Sequence, residues 1–195
     1  MAIILNIETS SPVCSVNLSV DGNQTDFRED REKNSHARVI TLLIDDLLKK
    51  NNLLYKQLDA VAVSTGPGSY TGLRIGVSTA KGLCYALNKP LIAVPTLFAL
   101  ALSMKEKNGS AEFYLPMIDA RRMDVYAALY NAEEQEIFPP QLFTLNDEFE
   151  KKISEYGSVG IAGDGLEKSK GMFLETQNIS YVENIKPHTS LMSKI

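Results

Sequence analysis

An unbroken apolar run at residues 2–7 (AIILNI) stops at Glu8. The polar corner Glu8-Thr9-Ser10-Ser11-Pro12 then leads into residues 13–20, where apolar and polar side chains alternate. A run that is apolar throughout reads as a strand covered on both faces; alternation reads as a strand with one buried face. Asp21-Gly22 is a hairpin signal, because both residues tolerate the left-handed backbone of a two-residue turn. Residues 24–30 return as a polar edge strand, so three antiparallel strands open the chain. The period then changes. Ser35 is the expected N-cap of a helix over 36–50, which Asn51-Asn52 ends. Residues 58–64 form an apolar strand, 72–87 a second helix that stops before Asn88-Lys89-Pro90, and 91–94 a short strand. Pro95 fits the first position of a third helix through Lys105. The order β-β-β-α-β-α-β-α commits this part of the chain to an α/β layer fold.

Residues 105–110 are polar, charged and glycine-containing, which places a boundary between an N-terminal lobe, 1–106, and a C-terminal lobe, 107–195. Beyond it, 113–118 and 125–130 read as strands flanking Asp119-Ala120-Arg121-Arg122. Residues 147–156 read as helix, and 159–162 as a strand running into Gly163-Asp164-Gly165. Residues 187–195 begin like a helix. The two halves share a weak common order of strand, hairpin, helix, strand and glycine turn.

Composition excludes several classes. With 2 His and 2 Cys among 195 residues, no pair has the spacing of a zinc finger or zincin, and no disulfide framework can be built. A formal charge of −4 leaves no basic surface of the kind autonomous nucleic-acid binding requires. The N-terminus lacks a positive n-region, and no apolar stretch approaches the ~20 residues of a membrane span. The expectation is a cytoplasmic protein without a membrane segment.

Three segments carry possible chemistry. Gly66–Arg74 (GPGSYTGLR) is the densest glycine cluster and joins a strand to a helix, as phosphate cradles do. It lacks the GK[ST] of a P-loop and the spacing of a dinucleotide fingerprint, so a tight structural turn competes with the phosphate reading. The next helix carries Gly72, Gly76, Ala80 and Cys84 at i, i+4 spacing, a groove for a second helix from this chain or another. On helix 36–50, Val39, Leu43 and Leu47 form one stripe, Ile40, Ile44 and Leu48 the next, and Leu42 adds a third direction. That arc is wider than one sheet contact needs, which points to a partner. Asp119 and Asp124 bracket Arg121-Arg122 and, with Glu8, are the candidate charged site residues; a self-neutralising hairpin is the alternative. Ser10 or Ser11 with His36 suggests a hydrolase triad only by composition, since no G-x-S-x-G elbow is present.

ILNIETSSPVCSVNL, GPGSYTGLRIGVSTAKGL, IDARRMDVYAALY and AGDG together resemble, in order and spacing, the TsaB (YeaZ) family over nearly the whole chain. The resemblance implies an actin-like ATPase (ribonuclease H-like) fold of two similar lobes with mixed sheets flanked by helices. It implies a non-catalytic scaffold of the TsaD transferase in making threonylcarbamoyladenosine in tRNA. TsaD carries an H-x-x-x-H metal motif after the strand equivalent to 91–94; here those positions read Thr96-Leu97-Phe98-Ala99-Leu100. No catalytic residue, metal or cofactor is therefore expected. The resemblance implies pairing with TsaD, and homodimerisation, through first-lobe helices, TsaE in a larger complex, and only indirect contact with tRNA. The partner-binding residues would be His36, Val39, Ile40, Leu43, Leu47, Gly72, Gly76, Ala80 and Cys84. Glu8 replaces the family's usual Asp, so Glu8, Thr9, Gly163, Asp164 and Gly165 would form a degenerate nucleotide site. TsaB-like chains continue past the equivalent of Pro187-His188-Thr189, which leads one to expect a shortened C-terminus and an incompletely closed second lobe. Two rival readings are a stand-alone ATP-binding enzyme of the actin-like superfamily and the older peptidase label of the broader family.

Overall fold

A computed structural model of the chain describes residues 1–107, 109–173, 178–193 and 195. The chain divides into two compact units, Met1–Thr96 with Pro187–Ile195, and Leu97–Lys186. This division departs from a cut after residue 106: most of the third helix counts with the second unit, and the last segment returns to the first.

The first unit is built on a five-stranded sheet of β1 (Ile3–Glu8), β2 (Cys14–Val20), β3 (Asn23–Asp30), β4 (Ala60–Ser64) and β5 (Leu91–Val94), in the order β3-β2-β1-β4-β5. β1, β2 and β3 pair antiparallel, while β4 and β5 run parallel to β1. Val20 pairs with Asn23, and Asp21 and Gly22 between them both have positive φ, as a two-residue hairpin turn demands. Two helices, α1 (His36–Lys50) and α2 (Tyr70–Leu87), pack beside each other on one face. There Leu5, Ile7, Val16, Leu18, Val61 and Val63 meet Ile40, Ile44, Leu47, Leu48 and Ala80 in one core. α2 starts two residues earlier than expected because Ser69 Oγ accepts the Gly72 N–H at 3.2 Å and caps it. Ser35 precedes α1 as expected, but its hydroxyl donates back to the Glu32 carbonyl at 2.8 Å instead of capping.

The other face of this sheet departs from expectation. β2 is buried on both sides, not half-buried, and Asn6, Ser15, Asn17 and Ser19 are nearly inaccessible. Asn6 Nδ2 donates to Asn17 Oδ1 at 2.6 Å and to Ser19 Oγ at 3.0 Å. The segment Pro187–Ile195 lies on this ladder. Asn17 Nδ2 donates to the Thr189 carbonyl at 2.8 Å, and the Thr189 N–H to Ser15 Oγ at 3.2 Å. Instead of starting a helix, the segment makes a single 3-10 turn at Thr189–Leu191.

The second unit holds α3 (Thr96–Lys107, its first residue in the first unit), β6 (Phe113–Asp119), β7 (Asp124–Asn131), β8 (Glu136–Thr144), α4 (Asp147–Ser154), β9 (Val159–Ala162), α5 (Leu166–Ser169) and β10 (Ile179–Tyr181). Pro95 immediately precedes α3 instead of being its first residue. The sheet order is β10-β9-β6-β7-β8, with β6–β7 and β7–β8 antiparallel and β9 and β10 parallel to β6. Each sheet thus has a three-stranded meander and two parallel strands added beside the meander's first strand, which is the physical content of the weak internal likeness. Leu115, Met117, Val125, Leu129, Phe149, Ile153, Ile161 and Phe173 fill the second core. Neither β8 nor β10 is expected from sequence patterning.

Candidate functional site

The small-residue row of α2 faces inward. A Cβ on Gly72 would lie 2.0 Å from the Thr9 carbonyl oxygen, and one on Gly76 would lie 2.2 Å from Thr9 Oγ1. Ala80 is fully buried, and Cys84 is half-buried with Sγ directed at the Pro90 carbonyl. The groove expected to receive a second helix is therefore occupied by the corner after β1, which corrects Gly72, Gly76 and Ala80 as docking residues. On α1, His36, Ile40 and Leu47 are likewise buried in the first unit and present no surface. Val39 and Leu43 are half-buried against the same core, and Leu42 alone of the three apolar directions is 64% exposed.

What α2 does present was not singled out from sequence. Tyr70 and Tyr85 are 74% and 92% exposed, and Arg74, Ser78 and Lys81 lie between them, also exposed. The spacing 70, 74, 78, 81, 85 is the helical period on the side away from 72, 76 and 80, so the signal was available. The Arg74 guanidinium carbon sits 5.5 Å from the Tyr70 ring centroid, a cation–π distance. A cleft of about 270 Å³ opens near the first turns of both helices, lined by Ser11, Pro12, Lys33, His36, Thr71 and Ile75 among others.

The corner after β1 holds no triad. His36 Nε2 lies 3.0 Å from the backbone carbonyl of Ser11, to which it donates, and not from a serine hydroxyl. Ser11 Oγ contacts the carbonyls of Val13 and Pro187 at 3.2 and 3.3 Å. His36 is buried, not on the helix surface. Glu8 is fully inside; its Oε1 accepts the Ser10 N–H at 2.6 Å. Burial raises its pKa, and the hydrogen bonds to the carboxylate only partly oppose the shift. A carboxyl whose pKa is raised on folding adds stability below its unfolded value of ~4.3 and loses that stability as pH climbs through the folded value. Glu8→Gln is therefore expected to match the native chain near pH 4 and to exceed it progressively towards pH 8. Denaturation midpoints of both proteins across that range check this, and a pH-independent difference would refute it.

The corresponding turn of the second unit also spends its acids internally. Asp119 pairs with Lys168 and accepts the Arg121 N–H at 2.6 Å, while Asp124 Oδ1 accepts the Thr144 hydroxyl at 2.7 Å. Asp164 Oδ1 accepts the Asp119 N–H at 2.8 Å, and burial raises the pKa of Asp164. Gly163 has φ 111°, and a Cβ there would sit 1.9 Å from the Met117 carbonyl oxygen. Its missing side chain serves close packing on β6. Glu8 and Thr9 belong to the first unit, and Gly163, Asp164 and Gly165 to the second. Neither set fits a magnesium–nucleotide site: one acid is buried against its own turn, the other is committed to a backbone amide, and Gly163 makes room for backbone. Among the described residues no group of three His, Cys, Asp or Glu is placed to hold a metal ion. Also among them, no helix is long and apolar enough to cross a membrane.

The family model described as "TsaD: tRNA N6-adenosine threonylcarbamoyltransferase" matches residues 30–171. The tRNA threonylcarbamoyladenosine biosynthesis protein TsaB of Escherichia coli is 37% identical over 137 residues, 69% of this chain and 58% of that protein. The chain spans about half to three-fifths of the length of the first curated relatives it matches. The solved structure of a Pseudomonas aeruginosa protein similar to YeaZ superposes with a TM-score of 0.82 at 26% identity, covering 100% of this chain and 90% of that one. A Bacteroides thetaiotaomicron protein with actin-like ATPase fold, 10% identical with a TM-score of 0.53 over 94% of this chain and 92% of its own, shares the fold alone. The chain has the actin-like ATPase fold and belongs to the TsaD family, within which its likeness is to the TsaB (YeaZ) proteins.

Proposed function

We propose that this chain is a non-catalytic partner of a TsaD-type transferase in forming threonylcarbamoyladenosine in tRNA. The observation that carries the reading is the TsaB likeness, which extends through both units. The residue chemistry supports it. The positions where the resemblance places metal-binding histidines are Thr96 and Leu100, both buried, so neither imidazole is present there. The two histidines of the chain are committed elsewhere, His36 to the Ser11 carbonyl and His188 to Glu29 at 3.1 Å. Catalysis would then reside in the partner, with this chain supplying surface and no cofactor. Reconstitution of the tRNA modification with and without this protein tests the reading, which requires activity that depends on it.

The docking surface for that partner is the outward side of α2 with the half-exposed edge of α1: Tyr70, Arg74, Lys81 and Tyr85, with Leu42, Val39 and Leu43. Tyrosine and arginine are the residue types that dominate binding energy at interfaces. The same surface would serve a homodimer in competition with TsaD, a TsaE-type protein would join the larger complex, and tRNA would be met through the partner. The double change Arg74→Glu with Tyr85→Ala is expected to weaken association with TsaD by roughly 30-fold or more, from ~2 kcal/mol at a hot spot. Stability should change by less than ~0.5 kcal/mol, because both side chains are exposed. Titration by calorimetry measures the first and denaturation the second; undiminished binding would remove α2 from the interface.

A further inference from the structure

The turn between β6 and β7 is expensive for the residues it contains. Arg121 and Arg122 have φ of 72° and 47°, two consecutive non-glycine residues in the left-handed region. Such backbone persists only where its surroundings over-determine it, and here they do. The Arg121 N–H donates to Asp119 Oδ1 at 2.6 Å, and the Asp124 N–H to the Arg121 carbonyl at 2.9 Å. Lys168 pairs with Asp119 and reaches the Asp124 carbonyl at 3.3 Å. Glycine or asparagine would meet the same geometry at lower cost, so the shape of the turn does not explain the arginines.

Both arginines are exposed, and neither has an ion-pair partner among the described residues. The neighbouring acids are already used: Asp119 by Lys168, and Asp124 by Thr144. Beside them lie Met123, 48% exposed, Tyr126, 37%, and Leu142, 54%. Tyr126 and Leu142 stand directly opposite each other in the β7–β8 ladder. A patch of arginine, tyrosine and methionine around an exposed apolar centre has the composition of a protein interface core and its rim. A polyanion fits less well, because a phosphate backbone would meet the two arginines and leave the apolar centre of Met123, Tyr126 and Leu142 uncovered, whereas a peptide with two carboxylates and an apolar side chain matches both.

We propose that this turn docks an acidic segment of a partner protein, with two carboxylates on Arg121 and Arg122 and an apolar side chain on Met123, Tyr126 and Leu142. The site belongs to the second unit and does not depend on the α2 surface or on the transferase reading. The full chain carrying photo-crosslinking p-benzoylphenylalanine in place of Leu142, expressed in its own cells, tests it by mapping the crosslinked position. The expected product joins Leu142's position to a protein segment with at least two Asp or Glu beside an apolar residue. A synthetic peptide of that segment should bind the full chain and lose at least tenfold in affinity to the Arg121→Glu, Arg122→Glu variant. Replacing its carboxylates by lysines should restore binding to that variant. Arg121→Gly with Arg122→Gly separates docking from folding, because it should raise the unfolding midpoint and lose the peptide together. Crosslinks confined to RNA, no crosslink, or peptide binding that survives both variants would each overturn the proposal.

Discussion

Gly72→Ala is expected to destabilise the first unit by about 3 kcal/mol or more, because overpacking against a main-chain atom leaves no side chain to rotate away. The added methyl carbon would lie 2.0 Å from the Thr9 carbonyl oxygen and 3.2 Å from Ser69 Oγ. To admit it, α2 must lift off the β1 corner, which also disturbs the Ser69 cap and the contact of Ile75 with the core. The same substitution ten residues further along the same helix, at Gly82, should do the reverse. Nothing lies within 4 Å of a Cβ there, so alanine should gain helix propensity of up to ~1 kcal/mol. Chemical denaturation of the two single variants measures both signs in one experiment, and equal behaviour would show that the approach of α2 to Thr9 is looser than described. Gly76→Ala should fall between them, since the atom it meets first, Thr9 Oγ1, belongs to a side chain.

Asn17→Ala carries the second large effect, about 2–4 kcal/mol, from buried polar groups left without partners. The Asn17 amide nitrogen is within hydrogen-bond reach of the Thr189 carbonyl at 2.8 Å and Ser193 Oγ at 3.1 Å, while Oδ1 accepts from Asn6. Alanine takes one of its two acceptors from the Asn6 amide, Ser19 Oγ remaining, and strands the Thr189 carbonyl on the other side. The segment from Pro187 onward should then become sensitive to carboxypeptidase under conditions in which the native chain resists it. Unchanged resistance would mean that the apolar contacts of Met192 and the His188–Glu29 pair hold the segment without the ladder.

The first eight elements were readable because each carries its own period and its own stop signal, such as Asp21-Gly22 or Asn88 before Pro90. β8 was not readable. It is an edge strand whose residues are mostly exposed, and its Pro139-Pro140 pair, which forbids a central strand, is tolerated at an edge. The burial of β2 on both faces was hidden for another reason: the residues that cover its polar side follow more than 170 positions later, at Thr189 and Ser193. At the candidate site, the glycine row of α2 announced a close approach correctly, but spacing within one helix does not name what approaches. The occupant is Thr9, and the wide apolar arc of α1 is mostly consumed by its own core. The outward residues Tyr70, Arg74 and Tyr85 are not marked by apolar periodicity, because they occupy its complement on the opposite side of α2.

The return of Pro187–Ile195 to the first sheet bears on how the chain is made. In chain order the second unit is an insertion, since Leu97–Lys186 intervenes between the body of the first unit and the segment that covers its polar ladder. During synthesis Ser15 and Asn17 must wait for their partners in the last segment while the intervening residues emerge, roughly 5–20 s at ordinary elongation rates of ~5–20 residues per second. The second unit has all its strands within that interval and can close first. The first unit is thus begun first and finished last, and in the nascent chain the face that later becomes one of its most buried is an open polar surface that water, not protein, must satisfy.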